Sequence, residues 1–200
     1  MKRPATATIG VFLAVILVAA AISAVLVLAT DGAPAIEVGD QRVSEKAVNQ
    51  ELEAIADARP GQVGIAPGSV GATTSAGVSS DIVRALLSES ILDRRGERVT
   101  DAERQSVGEL VSPSTFRGYP AFFKERYAER VATIIALSRV LDVDLQATGA
   151  NAALTAAWRR EARRSGVTVD PVYGRWVQPL AQVVPATATA AQIRDAIKSQ

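Results

Sequence analysis

The sequence predicts a mostly α-helical protein: an N-terminal transmembrane helix, then a helical domain whose two ends are joined by a small β-hairpin and strand pairing. Three observations carry this prediction. Ile9 to Ala29 runs without a charged residue. Apolar residues recur at helical spacing through much of the chain that follows. Short alternating segments stand near both ends of that helical region, at Ile36–Val43 and Val167–Val169.

The first element is the apolar run. About twenty apolar residues suffice to cross the hydrocarbon core as a helix. Lys2 and Arg3 precede the run and Asp31 is the first acid after it, which places residues 1–8 in the cytoplasm and the remainder outside. Val27-Leu28-Ala29 and Ala33-Pro34-Ala35 also offer small residues at cleavage-compatible positions, so a cleaved signal peptide is the alternative to an anchor. Either reading exports the rest of the chain.

The exported part opens with Ala35-Ile36-Glu37-Val38 and Gln41-Arg42-Val43, which alternate about Gly39-Asp40 and predict a tight hairpin. Ser44 is a suitable N-cap for a helix to about Ala58, with Val48, Leu52 and Ile55 on one face and Arg59-Pro60-Gly61 as its stop. Residues 59–80 are rich in Gly, Ser, Thr and Ala without apolar periodicity and are expected to form a flexible loop. A helix from Asp81 carries Ile82, Val83, Leu86, Leu87 and Ile91, and ends before Gly96. Thr100-Asp101-Ala102-Glu103 has the form of a capping box for a short helix to about Leu110. A longer helix starts near Pro120 with Phe123, Tyr127, Val131, Ile134 and Ile135 on its face. Asn151 caps a further helix through Arg164, with Leu154 and Trp158 inward and Gly166 as its stop. Val167-Thr168-Val169 is a strand expected to pair with the hairpin, Asp170-Pro171 marks its exit, and a weak final helix spans Thr189 to Lys198. The helical domain is thus set at residues 35–176, with residues 177–200 as a C-terminal tail.

Composition narrows the chemistry. Of the 200 residues none is His or Cys, which excludes Ser-His-Asp and Cys-His couples, imidazole or thiolate metal sites, and disulfides. Asp142 and Asp144 are two apart, as are Glu51 and Glu53, and residues two apart on a helix diverge, so neither pair readily shares a proton or a metal. No catalytic residue, cofactor or metal is assigned. Without Lys2 and Arg3, 20 basic residues face 21 acidic ones, a balance that does not favour nucleic acid.

Two clusters remain as candidate binding residues. Phe116, Tyr119 and Phe122 precede or open a helix and either line a groove for apolar side chains of an extended client or belong to the core. Arg159, Arg160, Arg163 and Arg164 crowd a helix end, where they either serve the helix dipole and cover apolar surface or form a partner-docking patch.

The bracketing segments bear a family resemblance. Ile36-Glu37-Val38-Gly39-Asp40-Gln41-Arg42-Val43-Ser44 resembles the opening of SurA-type N-terminal chaperone domains, in which a short strand, a turn often written Asn-Gly and a second strand lead through Ser or Thr into a helix. Val167-Thr168-Val169-Asp170-Pro171-Val172-Tyr173-Gly174-Arg175-Trp176 resembles the matching close. The Ala/Arg/Val bias is similar to that of actinobacterial members. Gly39-Asp40 departs from Asn-Gly, and Val172 stands where a basic residue is common.

The resemblance implies a helical cradle that holds unfolded or exported polypeptide, often beside a parvulin isomerase domain. Only 30 residues follow Asp170, and the chain has no His for a parvulin's polar cluster, so the expectation is a chaperone-like module without isomerase activity. Its partners would be unfolded or exported polypeptides at the membrane. The alternative is a structural or assembly subunit of a membrane protein complex that uses the same fold for docking.

Overall fold

The computed structural model describes residues 33–60, 65–66, 69–110 and 116–198. Pro34–Val38 (β1) and Gln41–Ser44 (β2) form an antiparallel hairpin with Ile36 opposite Val43 and Val38 opposite Gln41. Gly39 turns it at a φ of 59°, a value open to glycine without a Cβ penalty. Val167–Val169 (β5) adds to the other edge of β1, with Ile36 opposite Val169 and Val38 opposite Val167, giving the order β2-β1-β5. β1 is therefore central, and its Ile36 and Val38 are sealed in the core.

Ser44 accepts a hydrogen bond from the Ala47 N–H and starts helix α1, Glu45–Ala58. A two-residue ladder follows, β3 (Ile65–Ala66) on β4 (Ser69–Val70). Helix α2, Ala72–Arg94, is the hub of the domain, packed against α1, β1, α4 (Ala121–Val140), α5 (Ala150–Ser165) and β7 (Gln182–Val184). The expected loop at 59–80 is corrected here, because Ala72 to Ser80 belong to this helix. Ser75, Ser79 and Ser80 are buried beside Ala76 and Val78, so polar residues stand on the segment's inward face and no apolar stripe results. Its serines fit because their hydroxyls bond back into the helix, Ser79 to the Ser75 carbonyl at 3.0 Å and Ser80 to that of Ala76 at 2.8 Å.

Helix α3, Asp101–Leu110, carries the expected capping box: the Thr100 N–H donates to Glu103 Oε2 at 2.7 Å and the Glu103 N–H to Thr100 Oγ1 at 3.2 Å. Burial pushes the Glu103 carboxyl up, but bonds from Thr100 and Arg139 outweigh it and hold the group below its usual range.

The stretch expected as a tail is part of the body. Arg175–Val177 (β6) pairs with β7, joined by a 3-10 turn at Gln178–Leu180, and Val183 is 1% exposed against α2. Gly174 makes the approach possible: a Cβ there would lie 2.6 Å from Val183 Cγ1 and 2.7 Å from the Val184 carbonyl oxygen. Helix α6, Ala190–Lys198, closes the described chain, with Ile193 against Val177, Leu180 and Val184.

The expected fold class is corrected in its membrane component. Among the described residues no helix is long and apolar enough to cross a membrane. The segments 1–8 and 9–29, expected as basic n-region and span, lie outside the described residues. What the described residues form is a mostly helical body with small antiparallel sheets, of which β2-β1-β5 joins the segments at 34–44 and 167–169.

Candidate functional site

The two candidate clusters are placed very differently. Phe116 and Tyr119 are 6% and 7% exposed and sit in the core, the second of the two readings open to them, and so do not line a groove. Phe116 lies 4.8 Å from Tyr127 between ring centroids, and Tyr119 stacks on Phe123 at 4.5 Å. Both thus close the core beneath the N-terminal turns of α4. Phe122 is at the surface, 36% exposed, with the Arg126 guanidinium 5.3 Å above its ring. One exposed ring capped by a cation does not make a groove.

The arginines do reach a concave surface. A cleft of about 190 Å³ opens between the C-terminal parts of α2, α4 and α5. Its apolar lining is Ile91 from α2, Leu141 from the end of α4 and Ala157 from α5. Arg94 and Arg95 border it from α2, and Arg160 and Arg164 from α5. Ala157, Arg160, Glu161 and Arg164 recur at helical spacing and so share one face of α5. Arg159 and Arg163 are outside that lining, and the Arg159 carbonyl accepts from Gln178 Nε2 at 2.6 Å. Two of the four arginines singled out in the sequence therefore line the cleft, opposite Arg94 and Arg95 of another helix.

Glu161 fastens the two walls. It is 3% exposed, its Oε2 accepts from Arg94 Nη2, and its Oε1 accepts from the Ser90 hydroxyl at 2.9 Å. Burial raises its pKa, but Arg94, Ser90 and the nearby Arg164 charge outweigh this and keep the carboxyl below its ordinary value. Arg95 donates from Nη1 to the Val140 carbonyl at 3.0 Å. Arg160 and Arg164 are exposed, and no salt bridge among the described residues engages either. Four guanidiniums against one carboxylate leave the cleft with an excess of three positive charges. Chemically it can hold a negatively charged group over a small apolar floor.

A second charged cluster is enclosed. Arg130, on α4, is 1% exposed and donates from Nη2 to Glu51 Oε2 at 2.6 Å, while Arg126 Nη1 reaches Glu51 Oε1 at 3.4 Å. Asp81 on α2 faces the same group, with Arg84 4.0 Å away. Burial raises the Asp81 carboxyl to about 7 despite Arg84 and Arg130, and lowers Arg130 to about 10 despite Glu51. This network ties α1, α2 and α4 together inside the body, out of reach of a macromolecular ligand.

Among the described residues no three His, Cys, Asp or Glu side chains group to hold a metal ion. Comparison with family models, with curated proteins and with solved structures finds no match for this chain.

Proposed function

We propose that this chain is a polypeptide-binding module that shields unfolded or exported clients by weak, reversible contact, without covalent chemistry or isomerase activity. The observation that carries this reading is the arginine-bordered cleft with its apolar floor, a surface feature suited to a side chain of another polypeptide. The pairing of Pro34–Ser44 with Val167–Val169 in one sheet supports it further, because it fixes the helices between those segments in a frame. The resemblance of Ile36–Ser44 and Val167–Trp176 to SurA-type chaperone domains points the same way. Export rests on the sequence of the first thirty residues.

The full-length chain should slow aggregation of an unfolded model client at near-stoichiometric ratio. It should also cross-link to exported proteins in cells. Failure of both overturns the proposal. A docking subunit of one membrane complex is the second reading, favoured by a cleft small enough for one fixed side chain. Gentle solubilisation distinguishes them: one stoichiometric partner supports the subunit, and a broad set of exported proteins supports the chaperone.

A further inference from the structure

The cleft says more about its occupant than that it is a polypeptide. Ligand pockets for cofactors and drug-sized molecules run to about 300–1,000 Å³, and this one is about 190 Å³, room for a side chain or two. Its positive charge is carried wholly by guanidiniums, which present paired N–H donors matched to the two oxygens of a carboxylate. Arg160 and Arg164 are exposed and unengaged by any salt bridge among the described residues, so both have donors to offer. Glu161 lies in the wall and keeps its negative charge. On the polypeptide-binding reading, the anion that meets these donors is the carboxylate of an Asp or Glu side chain.

The floor argues against a lipid surface. Ile91 and Ala157 are each 4% exposed and lie inside the concavity. A bilayer is broad and would meet the arginine borders without touching that floor. A projecting side chain reaches it.

Resting on the polypeptide-binding reading, we propose that the cleft receives an Asp or Glu side chain of an extended client segment. The carboxylate lies between Arg160, Arg164 and Arg95, and a neighbouring aliphatic side chain of the client sits on Ile91, Leu141 and Ala157. The site thus selects segments in which an acid adjoins an aliphatic residue, in preference to segments that are apolar alone.

The test uses the full-length chain and a short fluorescent peptide with a central Glu-Leu in a Gly/Ser background, followed by anisotropy. Replacing the peptide's Glu by Gln should weaken binding about tenfold, the effect of losing a charge-assisted pair. The double variant Arg160→Gln/Arg164→Gln changes exposed side chains and should weaken the Glu-Leu peptide similarly while leaving the Gln-Leu peptide unchanged. Its far-ultraviolet circular dichroism should match that of the parent. A second variant, Ala157→Glu, should abolish the difference between the two peptides by blocking the floor. Equal affinity for both peptides overturns the proposal. So does displacement of the Glu-Leu peptide by inorganic phosphate at concentrations where acetate has no effect, or binding to phosphatidylglycerol vesicles that the double variant loses while its peptide binding stays intact. If the parent chain still captures the unfolded client while the peptides are not distinguished, the cleft assignment falls and polypeptide binding stands. If neither client nor peptide binds, both fall.

Discussion

Ser80 and Val183 are joined through a single hydroxyl. The Val183 N–H donates to Ser80 Oγ at 2.8 Å, and that hydroxyl lies 2.9 Å from the Val183 carbonyl oxygen. A side chain in the middle of α2 thus completes the hydrogen bonding of β7, a strand far along the chain, and docks the β6–β7 hairpin onto the central helix. Val183 is 1% exposed, so water cannot replace the lost partner. Ser80→Ala should cost about 1–3 kcal/mol, the range for leaving a buried polar group unsatisfied. Ser79→Ala removes only a bond back to the Ser75 carbonyl and should be close to neutral, given the helix preference of alanine. Urea titration of both variants checks the contrast, and equal losses would refute the docking role of Ser80.

The aromatic residues at the start of α4 make a second pair of opposites. Phe116 is packed against Tyr119 and Tyr127, and its replacement by Ala should cost about 3–5 kcal/mol as in other buried Phe→Ala changes. Phe122 is partly exposed, and Phe122→Ala should lose less than about 1 kcal/mol. Neither change is expected to alter the affinity for the Glu-Leu peptide in a chain that remains folded. Thermal melts and the anisotropy titration together measure this. A large loss of peptide affinity in Phe122→Ala would restore an aromatic contribution to binding.

Much of the fold could be read from residue order alone, for physical reasons that also explain the failures. Alternation about Gly39-Asp40 and the Val167-Thr168-Val169 run reveals β1, β2 and β5, because one face of that sheet is buried. α1 was legible from Val48 and Ile55 turned to one side. The first half of α2 was not, because serines occupy much of its buried face and leave no apolar stripe, and they suggest a loop until their hydroxyls are seen to bond within the helix. β6 and β7 have three residues each, too few for a pattern. Half of the cleft was visible as arginines crowded in the last turns of α5. The other half, Arg94 and Arg95, stands before Gly96 in an unrelated stretch and joins the first only through Glu161. Both arginine pairs end a helix, a signal that favours charge at those positions but does not say which ends meet.

The Glu51–Arg130 pair allows a third prediction, on the balance between attraction and desolvation. Removing one partner leaves the other charge buried, so Glu51→Gln should destabilise by about 3–5 kcal/mol. Arg130 Nε and Nη1 have no hydrogen-bond partner among the described residues, so the pair is incompletely compensated. The double variant Glu51→Leu/Arg130→Met should therefore lose much less than the sum of the single variants. A double-mutant cycle by urea unfolding measures the coupling, and simple additivity would show that the two side chains act independently.

The last prediction concerns pH, in a chain well suited to it because no histidine titrates between pH 5 and 8. Burial raises three carboxyls: Glu51 above its usual value, Asp81 from 3.8 to about 7 and Glu89 from 4.5 to about 7. Arg84 and Arg130 face Asp81 and favour its charge, Glu51 opposes it, and burial outweighs the two cations. Around Glu89, Asp93 and Glu129 add repulsion while the Gln41 amide stabilises the carboxylate. Between the unfolded and folded values the native state holds protons that the unfolded state has released. Stability therefore falls as pH rises from about 5 to 7, by at most about 1.4 kcal/mol per pH unit for each group, and levels off above 8. Glu103 and Glu161 act in the opposite sense: their carboxyls are held below the usual value, so their stabilisation is present above about pH 4.5 and fades as pH drops below it. Unfolding free energy should accordingly peak near pH 5. Asp81→Asn cannot ionise and should remove part of the decline between pH 5 and 7, and Asp81→Asn/Glu89→Gln should remove more, leaving the share that Glu51 contributes. Urea unfolding followed by the fluorescence of Trp158 and Trp176 across pH 4–9 provides the measurement. Stability that rises between pH 5 and 7, or a double variant with the parent's slope, would show that neither carboxyl governs it.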